Sequence, residues 1–303
     1  MDKLESMQAF VAVARAGGFS AAARELGVPV PTLSRRVADL EAALGVRLFE
    51  RSTRQVVLTD QAQAYFTACR QMLDDLREAD EVVSGEHLLP KGDLSITAPV
   101  GFGRMHLQPI AFEFLREYSQ VNLRLQLVDR LVNLLDEQVD AAVRISALPD
   151  SSMTARHLGE VRMVVCASRR YLDQHGTPQH PSQLIDHSCI AWASLGPLKS
   201  WLFREGEQET MFPIRTRLTV TLPESAVDAA IDGFGLTQVT SYQAAAAVRS
   251  GYLVPVLREF EAAPTPVSLV YPSGRAATGK LRTFLEFCGP RLSEVLKSVR
   301  EVL

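Results

Sequence analysis

What this 303-residue chain has little of already excludes several chemistries. Its four cysteines, Cys69, Cys166, Cys189 and Cys288, stand far apart with no C-x-x-C pair, so neither a disulfide framework nor a zinc ribbon is expected. They read as buried, reduced thiols. No run approaches the ~20 apolar residues of a membrane span, and MDKLESMQAF lacks the basic segment, apolar run and cleavage site of a secretory signal. The expected location is cytoplasmic, with no membrane partner. The phosphate-loop, zinc-protease and serine-hydrolase signatures (G-x-x-x-x-G-K-S/T, H-E-x-x-H, G-x-S-x-G) are missing. Gly233-Phe234-Gly235 follows a helix pattern rather than a first strand and reads as a tight turn, not a dinucleotide loop. Of the histidines at 87, 106, 157, 175, 180 and 187, the last three are spaced by five and seven with prolines between. That spacing fits no helical ligand pair, and no metal or other cofactor is expected.

Positive charge is scarce too. The net charge is −3 and the pI near 6.1, which for a whole chain argues against nucleic acid. The distribution is uneven, however. Residues 1–60 carry eight basic and seven acidic side chains, and five arginines (Arg35, Arg36, Arg47, Arg51, Arg54) fall within 35–54 against Asp39, Glu41 and Glu50. A footprint on DNA must therefore come from geometry.

Helical spacing supplies that geometry. Leu4, Met7, Phe10, Val11, Val13 and Ala14 mark a first helix that Gly17-Gly18 ends. Ser20 is placed to cap a short second helix, AAARELG, with Gly27 as its stop. A third helix is expected from Pro31, with Leu33, Val37, Leu40 and Leu44 as its buried stripe and Gly45 as its end. Thr32, Ser34, Arg35 and Arg36 lie off the stripe and are the candidates for the major groove. VRLFERSTRQVVLT then reads as two short strands around Arg51-Ser52-Thr53-Arg54, a basic wing whose Arg51 and Arg54 reach backbone phosphate. From Thr59 to about Ser84 a long helix carries Phe66, Cys69, Leu73, Leu76 and Val83 at three-four spacing, interrupted at Asp80. Phe66, Leu73 and Leu76 are the expected seam of a homodimer, and GEHLLPKG the hinge that follows.

Beyond the hinge, strand and helix patterns alternate: DLSITA, a helix through 102–117, VNLRLQLV, a helix near 131–137, DAAVRI. A second series runs through VRMVVCAS, CIAWAS, RLTVTL, a helix from Glu224, GLTQVT and a helix over 242–250, before VSLVYP and a helix over about 278–287. This is an α/β pattern with parallel strands, in two lobes around a cleft. Ligands of such sheets bind beyond the carboxyl ends of strands, which selects Thr97, Ala98, Pro99, Val100, Arg144, Ile145 and Ser146 on one lobe and Trp192, Ser194, Thr221 and Pro223 on the other. Free N–H groups at Pro99–Gly103 and the Thr97 hydroxyl favour an anion, so an organic carboxylate is the expected effector. Arg144 either assists that anion or is tied to an acid such as Asp129 or Glu224, and Trp192 either packs or stacks.

FVAVARAGGFSAAARELGV, LSRRVADLEAALGVRLFERSTRQVVLT and DAAVRISALPDSSMTARHLG with VCASRRYLDQHGTPQHPSQL after it resemble the LysR-type transcriptional regulators over nearly the whole chain. The resemblance implies a winged helix-turn-helix over residues 1–60, a dimerising linker helix and hinge over 61–90, and a periplasmic-binding-protein-like effector domain over 91–303, with lobe I about 91–161 and 266–303 and lobe II about 162–265. It further implies double-stranded DNA, a small-molecule effector and a second copy of the chain as partners, as a dimer or a dimer of dimers, and no catalysis. The alternative is a metabolic α/β enzyme with a helical N-terminal appendage. Three departures stand out: Pro29-Val30 where many members have Ser-Gln, Ala62 where Gly is frequent, and Gln238-Val239-Thr240 where an apolar-Leu-Pro run is common. The last predicts a more polar cleft. One branch of the family senses peroxide through paired cysteines; here Cys166 and Cys189 lie in apolar strand runs and read as core.

Overall fold

The computed structural model describes residues 2–51, 56–84, 90–137, 139–147, 153–192, 199–273 and 279–303. Its contacts divide the chain into two compact units, Met1–Leu88 and Leu89–Leu303.

In the first unit, α1 (Lys3–Ala16) begins where the Asp2 carboxylate accepts the N–H groups of Leu4 and Glu5 and ends where Gly17 takes φ 66°. α2 (Phe19–Leu26) starts two residues earlier than the Ser20 cap required. Gly18 is the N-cap and Ser20 lies inside the first turn, so its hydroxyl caps nothing. α3 (Val30–Leu44) follows with Leu33, Val37 and Leu40 fully buried. β1 (Phe49–Arg51) and β2 (Val56–Leu58) pair antiparallel, Phe49 opposite Leu58, which is the expected wing stem. Arg54 lies outside the described residues. Glu41 of α3 locks the stem in place, its Oε1 accepting the N–H groups of Leu48 (2.8 Å) and Phe49 (3.3 Å). α4 (Asp60–Ser84) runs as one helix over the expected length, with Asp80, where the apolar repeat is interrupted, on an exposed face at little cost to the helix. Phe10 centres the core, its ring 5.4 Å from Phe49, 5.7 Å from Tyr65 and 6.1 Å from Phe66.

The second unit runs β3 (Gly92–Ala98), α5 (Val100–Phe102), a π-helical turn Gly103–Leu107, α6 (Gln108–Glu117), β4 (Val121–Leu127), β5 (Ala141–Ile145), β6 (Met153–Val161), β7 (Met163–Ala167), α7 (Arg169–His175), β8 (Cys189–Trp192), β9 (Ser200–Glu205), β10 (Gln208–Pro213), β11 (Thr216–Val220), α8 (Pro223–Ile231), β12 (Leu236–Thr240), α9 (Ser241–Arg249), β13 (Val254–Val256), β14 (Thr265–Pro272) and α10 (Gly279–Val302). Two five-stranded sheets result, ordered β4-β3-β5-β14-β6 and β11-β8-β12-β7-β13. Among the described residues, parallel pairing holds only for β3 with β4 and β5, and for β8 with β11 and β12. β14, β6, β7 and β13 pair antiparallel, since these strands carry the chain from one sheet to the other and back.

Three further expectations change. No helix forms near 131–137, where Asn133 Oδ1 accepts the N–H of Leu135 at 3.1 Å and holds a turn in competition with the helix. The last helix does not stop at 287 but continues past Pro290 to Val302. Leu292, Leu296 and Val299 are buried there, and this burial outweighs the hydrogen bond that proline removes. The β9–β10 hairpin, with Gly206 at φ 63° in its turn, is absent from the sequence reading.

Candidate DNA interface and ligand cleft

At 100° per residue, Arg35 stands opposite the stripe of Leu33, Val37 and Leu40, with Thr32 exposed to one side. Ser34 and Arg36 lie on opposite flanks and are half-buried, so the four candidates do not share one surface. Arg36 is engaged: its Nη2 sits 2.7 Å from Glu5 Oε2 on α1. Such partly exposed pairs contribute only about 0–1 kcal/mol, so this one holds Arg36 in place without locking it there. Pro29, the N-cap residue, supplies no side-chain hydrogen bond, and Pro31 has no N–H to offer. Arg51 closes β1, at the root of the wing.

The expected dimer seam divides in two. Phe66 and Leu73 pack against the core of their own unit, Phe66 edge-on to Phe10, whereas Leu76 is 41% exposed and Met72, which the sequence reading missed, is 58% exposed.

In the second unit the predicted residues do collect at strand ends. Pro99 and Val100 follow β3, Ile145 and Ser146 end and follow β5, and Trp192 ends β8 beside Val220 of β11, with Thr221 and Pro223 next in the chain. Several of them are spent internally. Thr97 is buried and its hydroxyl donates to the Gln126 carbonyl oxygen (2.8 Å), and Ala98 is buried in the core, so neither side chain is offered to a ligand. Arg144 does not pair with Asp129 or Glu224; its guanidinium donates to the Val132 carbonyl oxygen, near the carboxylate of Glu137. Trp192 packs, its Nε1 donating to the Gln238 carbonyl at 2.9 Å. Ser194 lies outside the described residues.

One N–H of the first turn after β3 is already taken up by the chain itself. Asp129 Oδ1 accepts the Val100 N–H at 2.9 Å. Burial, with the nearby carboxylates of Asp129 and Glu224, pushes the Tyr242 hydroxyl up and keeps it neutral. Arg104 Nη2 reaches Glu224 Oε1 at 3.0 Å, joining the two lobes. The lobes approach closely at Gly101, where a β-carbon would lie 3.2 Å from both Gln243 Nε2 and the Tyr242 hydroxyl. Asp129, Arg104, Tyr242 and Gln243 were not selected from sequence; the strand-end rule applied to β4 finds Asp129, two residues past its end. The run Gln238-Val239-Thr240 does not make the cleft polar. Gln238 Nε2 donates to the Leu202 carbonyl oxygen, and Thr240 forms a capping box with Gln243.

Two other arrangements resemble chemistry and reduce to structure. His180 lies between Ser182 Oγ (2.8 Å from Nδ1) and Glu205 Oε1 (2.7 Å from Nε2), but it is the exposed cap of a short turn, and the Ser182 N–H points to the same Nδ1. Cys166 and Cys189 lie on β7 and β8 with β12 between them, about two strand spacings of roughly 4.8 Å apart and beyond disulfide reach. Burial pushes both thiols up to about 12, the reverse of a reactive thiolate. Among the described residues no helix is long and apolar enough to cross a membrane.

Comparison with known proteins agrees with this architecture. Residues 4–63 match the bacterial regulatory helix-turn-helix protein, lysR family, and residues 87–293 match the LysR substrate binding domain. An HTH-type transcriptional repressor of Pseudomonas aeruginosa is 34% identical over 95% of this chain and 91% of its own. The HTH-type transcriptional regulator CrgA of Neisseria meningitidis is 33% identical over 93% of this chain and 95% of its own. The solved structure of CrgA, a LysR-type transcriptional regulator, superposes with a TM-score of 0.60 at 32% identity, covering 96% of this chain and 98% of that one. A Corynebacterium glutamicum OxyR mutant, 18% identical, shares the fold with a TM-score of 0.61 over 98% of this chain and 95% of its own. With both parts matched, in the order the fold sets them out, the chain belongs to the LysR family of HTH-type transcriptional regulators.

Proposed function

We propose that this regulator works in the cytoplasm as a homodimer that reads double-stranded DNA with α3 and answers to a small molecule bound between its lobes. The working parts are residues 1–60 for DNA, 61–90 for dimerisation and the hinge, and 91–303 for the effector. The observation that carries the reading is the outward stance of Arg35, opposite the buried stripe of α3 and next to Thr32. Arg35 and Thr32 read bases, Ser34 lies at the groove edge, and Arg36, Arg51 and Arg54 serve the phosphates. A gel-shift assay on the DNA upstream of its own gene tests it: sequence-specific retardation is expected, and its absence there and on a random-site library returns the chain to the enzyme reading.

For the effector, the ligand-facing residues are Pro99, Val100, Ile145, Ser146, Thr221 and Pro223, with Ser194 retained from the sequence. An organic carboxylate binds by displacing Asp129 from the Val100 N–H. A second reading is favoured by the acids themselves: with Asp129 and Glu224 at this turn, an amine or polyhydroxylated molecule finds acceptors already in place. A thermal-shift screen of matched acids and amines on the wild type and Asp129→Ala distinguishes the two. Acids gain affinity in the variant on the first reading, and amines lose it on the second.

A further inference from the structure

The leading edge of α3 is apolar and exposed. Pro29, Val30 and Pro31 stand open to solvent in succession, just ahead of Thr32 and Arg35. Val28 before them packs against the core of its own unit, whereas Val30 is 40% exposed. Single exposed apolar side chains are ordinary on a protein surface. Three in a row, at the start of the helix that carries Arg35, form an apolar patch on the face that meets DNA.

The two prolines fix the backbone on either side of Val30. Pro29, the N-cap residue, sits at φ −62° and ψ 141°, and its carbonyl oxygen accepts the Leu33 N–H at 3.1 Å. Pro31 has its φ set by its own ring. A β-branched side chain in a helix has one strongly preferred rotamer, so Val30 loses little freedom when a partner packs against it. In helix-turn-helix proteins the first residues of the recognition helix are those that meet the base edges. The Val30 side chain brings no donor or acceptor to them, and the two prolines bring no N–H. The one apolar group that a base pair presents in the major groove is the thymine 5-methyl. We infer that Val30 is a specificity-determining residue that packs against a thymine methyl, about 7.5 Å nearer the helix start than Arg35. This rests on the reading of α3 as the element that enters the groove.

The test is fluorescence anisotropy of the full-length protein on the tightest site it selects from a random-sequence duplex library. That site is remade with each thymine in turn replaced by deoxyuracil, which lacks only the methyl. At one thymine per half-site, uracil is expected to weaken binding about fourfold, the effect of one buried methyl group at ~0.8 kcal/mol. Val30→Ser removes both methyls at an exposed position and leaves the melting temperature unchanged. It weakens the thymine site by a similar factor, leaves random DNA unaffected, and no longer distinguishes thymine from uracil at that position. A flat uracil scan on the wild type overturns the proposal without recourse to any variant. A uracil loss of the same size in Val30→Ser overturns it too, since another residue then reads the methyl. If the library yields no preferred site, this proposal and the reading of α3 fall together; a flat scan or a shared loss, with selection intact, strikes this proposal alone.

Discussion

Replacing Arg35 with Ala separates base reading from backbone attachment. Of the two arginines in α3, Arg35 points directly away from Leu33, Val37 and Leu40, whereas Arg36 is held at the flank by Glu5, 2.7 Å away. A specific arginine contact to a base edge contributes about 1–3 kcal/mol of discrimination, roughly 5- to 150-fold in affinity. Arg35→Ala is therefore expected to weaken binding to the cognate site by that factor and to leave random DNA nearly unchanged. Arg36→Ala loses a partly exposed ion pair worth about 0–1 kcal/mol of stability. If Arg36 turns to a phosphate on binding, its loss also lowers the slope of log affinity against log salt by about 0.9 on cognate and random DNA alike. Fluorescence anisotropy across a salt series, on both DNAs, reads both quantities at once. Equal weakening of both DNAs by Arg35→Ala, with a slope change of about 0.9, would refute the assignment and move Arg35 to the backbone.

Other perturbations give equally direct readings. Leu76→Glu and Met72→Glu, on the exposed face of α4, are expected to yield monomers in sedimentation with the melting temperature retained, whereas Leu73→Glu also destabilises because Leu73 packs on its own unit; a dimer surviving both exposed changes places the seam elsewhere. Glu41→Ala strips the acceptor from the Leu48 and Phe49 N–H groups and should cost about 1–3 kcal/mol, seen as a lower melting temperature and weaker binding of all DNA as the wing loosens. Burial lowers the pKa of His106 and of His187, so each is neutral in the fold and takes up protons more readily when unfolded. Their contribution to stability is full above the unfolded value of about 6.5 and is lost as pH falls below it towards the folded values; His106→Phe should flatten part of that acid slope in urea titrations, and an unchanged slope excludes His106 as a source.

How much of this was legible in the sequence follows from how far apart the interacting residues lie along the chain. The stripe of α3, the wing stem and the length of α4 depend on neighbours within a turn or a hairpin, and periodicity finds them. Arg36 pairs with Glu5 thirty-one residues away, Asp129 caps Val100 from twenty-nine, and Arg104 meets Glu224 across 120. No local pattern encodes such pairs, so Arg36 read as a free groove residue and the turn after β3 as an open anion site. The rule that ligands lie past strand ends overestimated what Thr97 and Arg144 have to offer, because a strand-end position does not reveal which backbone carbonyl will claim the side chain. The helix expected near 131–137 failed for the opposite reason. A single local competitor, the Asn133 side chain, outweighs a weak apolar pattern, and Val132 and Leu134 are buried against Val139, Ala142 and Val270 without a helix.

The tie between the two lobes bears on how a ligand acts. Where the chain passes from β6 to β7, Arg162 is fixed within lobe II: its N–H donates to Ser241 Oγ (3.2 Å), its carbonyl accepts the Ser241 N–H (2.7 Å), and its guanidinium meets the nearly buried Glu261 at 2.6 Å. At the opening of the cleft the link is Arg104 with Glu224, whose side chains are 57% and 29% exposed, an arrangement that contributes about 0–1 kcal/mol. A ligand shifts a conformational balance only by the difference in its affinity for the two states. Against so weak a latch, two or three hydrogen bonds made in one lobe arrangement alone are enough to change which arrangement prevails. That latch stands beside the close approach of the lobes at Gly101, which faces Tyr242 and Gln243, so a ligand that acts on the balance has to act against these contacts.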